Sequence, residues 1–291
     1  MHDDPIRRFR RFSRAVTTEV GALDASFLGR GRPLGAARVL NAAGKGRREV
    51  AEIRDYLGLD TGLMSRLLRS LESEGLIKLS ADPQDARRRV VTLTSAGQAE
   101  FKAYEALSDE QARCVLERHK RADTLLEAMD LVATALGRDR IELKPEDPRA
   151  PAALHCLGRY YEELARRFDQ GFDVSLSCDP EAGDMMPPRG LFLIAWSDDL
   201  PVGCAGLKGH GGDTAEVKRV WVAPVARGLG LARRLMAAIE TAARAQGVTR
   251  LLLDTNSRLP EAVAMYRHSG WTQIARFNDD PYPDVFFEKR L

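Results

Sequence analysis

Six consecutive residues, Arg227-Gly228-Leu229-Gly230-Leu231-Ala232, follow an apolar run and Pro224 and lead at once into a stretch with helical apolar spacing. A strand, a turn with two close glycines and a helix N-terminus together suit a bound anion. The glycines let backbone N–H groups approach an oxygen, and the helix N-terminus adds partial positive charge. Taken alone, the turn reads equally well as strand-to-helix punctuation. It is not a Walker loop, because no Lys-Ser/Thr pair follows. It is not a dinucleotide fingerprint either, because position 233 is Arg where the third glycine belongs.

The second group of chemistry-bearing residues lies far upstream. The segment DTGLMSRLLRSLESEG, residues 60–75, has the spacing of an amphipathic helix with Leu63, Leu67 and Leu71 inward. Thr61, Ser65, Arg66 and Arg69 then occupy its other faces, and small hydroxyls and arginines there suit phosphates and base edges. A polar stretch, residues 80–89, ends in Arg87-Arg88-Arg89 between two short β-type runs. An arginine at such a hairpin tip can enter a minor groove.

The elements that must position these groups fall into two sets. In the first half the apolar periodicity predicts helices over 5–28, 34–43, 47–57, 60–74, 94–118 and 122–136, with strands at 76–79 and 90–93. In the second, strands are expected at 141–144, 191–196, 202–208, 214–222, 251–255, 271–277 and 285–289. Helices are expected at 152–168, from 231 to about 245, and at 260–268. The chain of 291 residues suits two domains, divided as 1–138 and 139–291. Residues 1–140 carry 25 Lys/Arg against 21 Asp/Glu, and residues 141–291 carry 19 against 21. A mildly basic half is joined to a mildly acidic one, too small a difference to identify a partner by itself.

Composition narrows the classes. A hydrophobic fraction of 44% supports globular cores. No apolar run approaches a membrane span, and residues 1–14 have no apolar stretch of the secretory kind. The cysteines at 114, 156, 178 and 204 are scattered without a CxxC pair, as reduced thiols of a cytoplasmic protein would be. The five histidines show no ligand spacing, so no metal is expected. Cys204 alternates with core residues and reads as packing, and His155, His210 and His268 are given no role.

Three short helices followed by a hairpin form a winged helix-turn-helix. Residues 5–136 resemble the MarR (multiple-antibiotic-resistance regulator) family, through MSRLLRSLESEGLI and the wing phrase DPQDARRRVVTLTSAG. The resemblance implies DNA binding by Thr61, Ser65, Arg66, Arg69, Asp85, Arg87 and Arg88, with Asp85 orienting Arg87 in the family's Asp-x-Arg motif. It also implies a homodimer built through the terminal helices.

Residues 141–291 resemble the GNAT superfamily of acyl-CoA-dependent N-acetyltransferases. The phrases AEVKRVWVAPVARGLGLARRLM and LLLDTNSRLPEAVAMYRHSGW carry it. Arg227, Gly230 and Ala232 meet the family's [RQ]-x-x-G-x-[GA] loop. The closing FNDDPYPDVFFEKRL is similar to the last two strands in one branch. The resemblance implies that Arg227, Gly228, Leu229, Gly230, Leu231 and Ala232 cradle the pyrophosphate of acetyl-CoA. Splayed strands would leave backbone groups at Val220, Trp221 and Val222 for the pantetheine, with Asn256 adding a side-chain contact. An amine must lose a proton before it attacks a thioester, and the departing thiolate benefits from an acid. Glu216 is the candidate base, directly or through water; its plainer reading is a surface carboxylate paired with Lys218. Tyr266 stands where the family has a tyrosine beside the CoA sulfur, as the candidate acid; its plainer reading is a core aromatic.

The expected architecture is a mainly-α winged helix-turn-helix followed by an α/β GNAT fold with a mixed, mostly antiparallel sheet. The expected function is a DNA-binding regulator that also transfers an acetyl group directly from acetyl-CoA to a small-molecule or peptide amine, with no membrane partner. Two other readings stand beside it: a regulator whose GNAT half only senses acyl-CoA, and an enzyme whose winged helix is a scaffold.

Overall fold

The computed structural model describes residues 4–177 and 183–291, so Cys178 lies outside the described residues. The chain divides into two compact units, Met1–Ala122 and Asp123–Leu291. Among the described residues no helix is long and apolar enough to cross a membrane.

The first unit contains α1 (Pro5–Glu19), α2 (Leu34–Gly44), α3 (Val50–Leu57), α4 (Thr61–Ser73), the hairpin β1 (Ile77–Ala81) and β2 (Arg89–Leu93), and α5 (Ser95–Glu117). Local signals set most boundaries. Gly58 ends α3 at φ 63°. Asp60 caps α4 by accepting the Leu63 N–H at 2.8 Å. Thr94 caps α5 through the Gly97 N–H (3.0 Å) and donates its hydroxyl to the Gly75 carbonyl (2.6 Å), tying the helix to the turn before the wing. Gly97 permits that approach, because a Cβ there would lie 1.9 Å from the Leu76 carbonyl oxygen. Leu40, Ile53, Met64, Leu71 and Ile77 form the centre of the core.

The first helix is shorter than its periodicity predicts. It stops at Glu19, and Gly21 at φ 64° turns the chain, so residues 22–28 fold separately. None of its residues is buried, although Ile6, Phe9, Phe12 and Val16 share one stripe.

The second unit begins with α6 (Ala122–Leu136) running up to it and contains β3 (Glu142–Pro145), α7 (Pro151–Arg167), β4 (Leu191–Ser197), β5 (Leu200–Gly209), β6 (Thr214–Val222), α8 (Leu231–Ala245), β7 (Arg250–Thr255), α9 (Pro260–Arg267), β8 (Thr272–Ile274) and β9 (Val285–Arg290). The strands form one sheet in the order β3-β4-β5-β6-β7-β9-β8. Its described pairs are antiparallel except β6 with β7, as a mixed, mostly antiparallel sheet requires. Helix α8 supplies Leu231, Leu235, Ile239 and Ala243 to a core shared with Ala153, Cys156 and Leu157 of α7 and with Cys204, Leu207 and Phe287 of the sheet. Cys204 is thus a packing residue, fully buried.

One irregularity shapes everything that follows. Arg219 has φ 58°, rare for a residue with a side chain, and the β5–β6 register shifts beside it. Such a bulge bends and twists its strand. Strand β6 pairs with β7 only from Thr214 to Glu216, and beyond the Glu216–Leu252 pair the two strands separate.

Candidate active site

The separation opens a cleft between the C-terminal ends of β6 and β7, and two cavities occupy it. The larger, with an empty volume of about 1210 Å³, is lined by Val220, Trp221 and Val222 of β6, by Arg227, Gly228, Gly230, Leu231 and Ala232, and by Tyr160 and Glu163 of α7. The smaller, of about 710 Å³, runs along Lys218 to Val220 on one side and Asp254 to Asn256 on the other. Tyr160, Leu164, Val220, Leu259, Ala262 and Tyr266 line both, so the cavities meet at these residues.

The glycine turn has a backbone that can receive an anion. Gly228 and Gly230 have φ 76° and 77°, and no neighbouring atom lies within 4 Å of where a Cβ would stand on either. Alternating left-handed residues aim successive N–H groups into a concavity. Gly230 also occupies the N-cap of α8, and no side chain caps that helix. Its first N–H groups therefore carry no side-chain cap, and Gly230, Leu231 and Ala232 line the larger cavity, where such groups can take an anion.

Arg227 has a bracing role that its place in the motif does not reveal. Its Nε donates to the Val222 carbonyl at 3.1 Å and its Nη2 pairs with Glu163. Glu163 also accepts from Trp221 Nε1 at 3.0 Å and pairs with Arg167 at 2.8 Å. Burial alone would raise the Glu163 carboxyl, but Arg227, Trp221 and Arg167 hold it below the ordinary carboxylate range. This hub pins the strand, the turn and α7 together. Nothing in the sequence marks Glu163 as a hub, because Trp221 and Arg227 lie 58 and 64 residues away and only Arg167 is near in the chain.

Of the residues expected at the cofactor, Leu229 and Asn256 stand outside the larger cavity. Asn256 lines the smaller one, where its Nδ2 donates to the Tyr282 carbonyl (2.6 Å) and its Oδ1 accepts the Arg258 N–H (2.8 Å). Its amide is occupied by the loop before β9 and braces that loop.

Tyr266 sits at the junction. Its ring packs edge-on against Trp271 (6.0 Å) and at a tilt to Phe287 (5.8 Å), within the core of the unit. Its hydroxyl has no partner among the described residues, and the phenol lines both cavities. Burial, reinforced by Tyr160 and Asp254, pushes the phenol above the ordinary tyrosine range. A phenol so shifted keeps its proton at neutral pH. Tyr160, which the motifs do not single out, reaches the same junction from α7, its phenol likewise raised by burial.

Glu216 is set apart from this junction. It lines neither cavity. His210 Nε2 lies 2.6 Å from its Oε1 and Lys218 Nζ 2.9 Å from its Oε2, so both oxygens are engaged. The pairing with Lys218 is the plainer of the two readings that the sequence left open, with one difference: both side chains are buried. Lys218 also reaches Asp254 Oδ2 at 2.9 Å, across the opening between β6 and β7. Burial would lower the Lys218 ammonium, but Asp254 and Glu216 raise it above its ordinary range.

In the first unit, Thr61, Ser65, Arg66 and Arg69 are all exposed on α4, and Met64, Leu67, Leu68 and Leu71 are buried on its other side. At the wing tip Asp85 Oδ1 accepts the Arg87 backbone N–H at 3.0 Å, while its Oδ2 lies 3.4 Å from Arg88 Nε. The carboxylate thus fixes the backbone of Arg87 and the side chain of Arg88, and the Arg87 guanidinium is left exposed.

Comparison with known proteins agrees with both halves. The Acetyltransferase (GNAT) family profile matches residues 157–271, and the MarR family profile matches residues 30–88. An "IAA acetyltransferase" of Azospirillum brasilense is 40% identical over 156 residues, which cover 52% of this chain and 98% of that protein. A solved acetyltransferase from Streptococcus agalactiae is 24% identical, with a TM-score of 0.46, over 52% of this chain and 98% of its own. A probable transcriptional regulator from Pseudomonas aeruginosa is 26% identical, with a TM-score of 0.37, over 44% of this chain and 96% of its own. The chain belongs to the GNAT acetyltransferase family, whose cosubstrate is acetyl-CoA, and carries a MarR-family winged helix ahead of its transferase fold.

Proposed function

We propose that the chain is a bifunctional protein: residues 1–138 bind DNA as a dimer, and residues 139–291 transfer an acetyl group from acetyl-CoA to an amine. The observation that carries the enzymatic reading is the meeting of two cavities at Tyr266. One holds an uncapped helix N-terminus and a left-handed glycine turn, which suit the pyrophosphate. The other leaves room for an acceptor on the opposite side of the same phenol.

Acetyl-CoA supplies the activated thioester. The N–H groups from Gly228 to Ala232 bind its phosphates, and the backbone of Val220 to Val222, freed from β7, is available to its pantetheine arm. The Glu163 hub holds this surface in place before binding, so little ordering remains to be done when the cosubstrate arrives. The amine in the smaller cavity attacks the thioester carbon directly. Tyr266 gives its proton to the departing sulfur, and its raised phenol ensures that the proton is present at neutral pH.

The regulatory reading rests on the exposed hydroxyls and arginines of α4 and on the unengaged Arg87 at the wing tip. The dimer rests on α1, whose Ile6 (67% exposed) and Phe9 (59%) belong to a stripe that this chain does not cover. Calorimetry of acetyl-CoA binding, with turnover measured over a panel of amines, tests the enzymatic half. Gel shift with genomic DNA fragments and sedimentation of the full chain test the other. Failure to bind acetyl-CoA would remove the first reading, and absence of any salt-sensitive DNA binding would remove the second.

A further inference from the structure

The smaller cavity has a composition that acetyl transfer by itself does not require. The whole chain has three Trp, six Tyr and ten Phe. Five of these nineteen, Tyr160, Phe168, Phe172, Tyr266 and Tyr282, line this one space. They come from α7, the segment after it, α9 and the loop before β9, so only the tertiary fold assembles them. Phe172 and Tyr282 have ring centroids 4.7 Å apart, and Phe168 lies 6.0 Å from Tyr282. The wall is tied in place: the Tyr282 hydroxyl accepts from the Asp173 N–H (2.8 Å) and donates to its carbonyl (3.2 Å).

Asp254 lines the same cavity. Its Oδ2 accepts from Lys218 Nζ (2.9 Å) and from Asn278 Nδ2 (2.6 Å), while its Oδ1 has no partner among the described residues. Lys218 is shared between Asp254 and Glu216, so this group of three carries one net negative charge. The other charged residues lining the cavity, Arg219 and Asp280, balance each other, and the Arg219 guanidinium is stacked over Tyr161 at 5.2 Å.

We propose that this cavity takes a primary amine bearing a planar aromatic ring, with the ring against Phe172 and Tyr282 and the nitrogen at Oδ1 of Asp254, and that Asp254 is the group that deprotonates it. The inference rests on the acetyl-transfer reading and adds to it the class of acceptor and the base. The amine arrives as an ammonium, attracted by the net negative charge and the ring faces. Asp254 takes one proton from it and passes that proton to solvent. The freed lone pair forms the C–N bond as the C–S bond breaks. Tyr266 protonates the departing sulfur and is restored by the second proton leaving the nitrogen. The products are an N-acetyl arylalkylamine, coenzyme A and one proton.

The test compares 2-phenylethylamine with 2-cyclohexylethylamine, which has the same reach and bulk but no π face, using the full chain and acetyl-CoA. A kcat/KM about fivefold or more in favour of the phenyl compound is expected, on the order of one good ring contact. Phe172→Leu with Tyr282→Leu should erase that preference. Asp254→Asn should lower kcat/KM by about 10²-fold or more while acetyl-CoA affinity holds. Equal use of the two amines, a preference that survives loss of both rings, or a wild-type kcat/KM in Asp254→Asn would overturn the inference. If the chain binds acetyl-CoA and acetylates only ringless amines such as spermidine, the inference fails and the transfer reading stands. If it turns over no amine in the panel, both fail.

Discussion

Lys218 Nζ lies 2.9 Å from Asp254 Oδ2, bridging β6 and β7 just where the two strands cease to pair. A side-chain ion pair thus takes over from the backbone ladder at the mouth of the active site. With Glu216 on the same ammonium at 2.9 Å, buried Lys218 and Glu216 and half-buried Asp254 form one unit. Removing the ammonium leaves both carboxylates without the cation they share.

Lys218→Met should therefore destabilise the transferase unit by about 3–5 kcal/mol, the cost of stranding a buried charge partner. Urea unfolding at pH 7 measures it. The wild-type protein should also show an alkaline dependence of definite sign. The folded ammonium is held above its ordinary value of 10.5, so its stabilisation is complete below that value and lost as the pH rises past it. A stability that is flat across that range would count against the buried bridge.

Gly230→Asp adds both a side chain at φ 77° and a negative charge at the uncapped start of α8. Left-handed backbone costs an ordinary residue about 1–2 kcal/mol, which a folded domain can absorb. The charge, in contrast, sits where the phosphates are proposed to bind. Calorimetry should show acetyl-CoA binding lost while thermal unfolding remains cooperative. Unchanged affinity would refute the cradle.

Tyr266→Phe keeps the ring that packs on Trp271 and Phe287 and deletes only the hydroxyl. Acetyl-CoA affinity should hold and the rate should fall by about 10²–10⁴-fold, the range for general acid catalysis. Single-turnover kinetics is the correct measurement, because slow product release would mask the loss in steady state. Wild-type single-turnover rates would confine Tyr266 to packing.

Arg87→Ala removes an exposed guanidinium from the wing tip while the Asp85–Arg88 pair remains. DNA affinity in a gel shift should drop by about tenfold, as for one lost arginine contact, and acetyl transfer should stay at the wild-type rate. Equal DNA binding by the variant would take the wing out of the interface.

Much of this protein was legible in its sequence because the relevant physics is local. Apolar spacing located α4 and α8, a capping Asp60 and the stop at Gly58 set boundaries, and the glycine turn could be read from six adjacent residues. The same logic overran at α1, where continued apolar spacing concealed the left-handed turn at Gly21. What the sequence could not decide was which distant side chains share an atom. Glu216 has the type of a base, but Lys218 and His210 occupy both of its oxygens, and Asp254, 38 residues on, keeps the open one. Glu163 and the aromatic wall likewise join elements far apart in the chain. Periodicity and caps follow from neighbours within a few residues, whereas which oxygens of a carboxylate are engaged depends on whatever the fold packs against it, and here the strands part beside the bulge at Arg219.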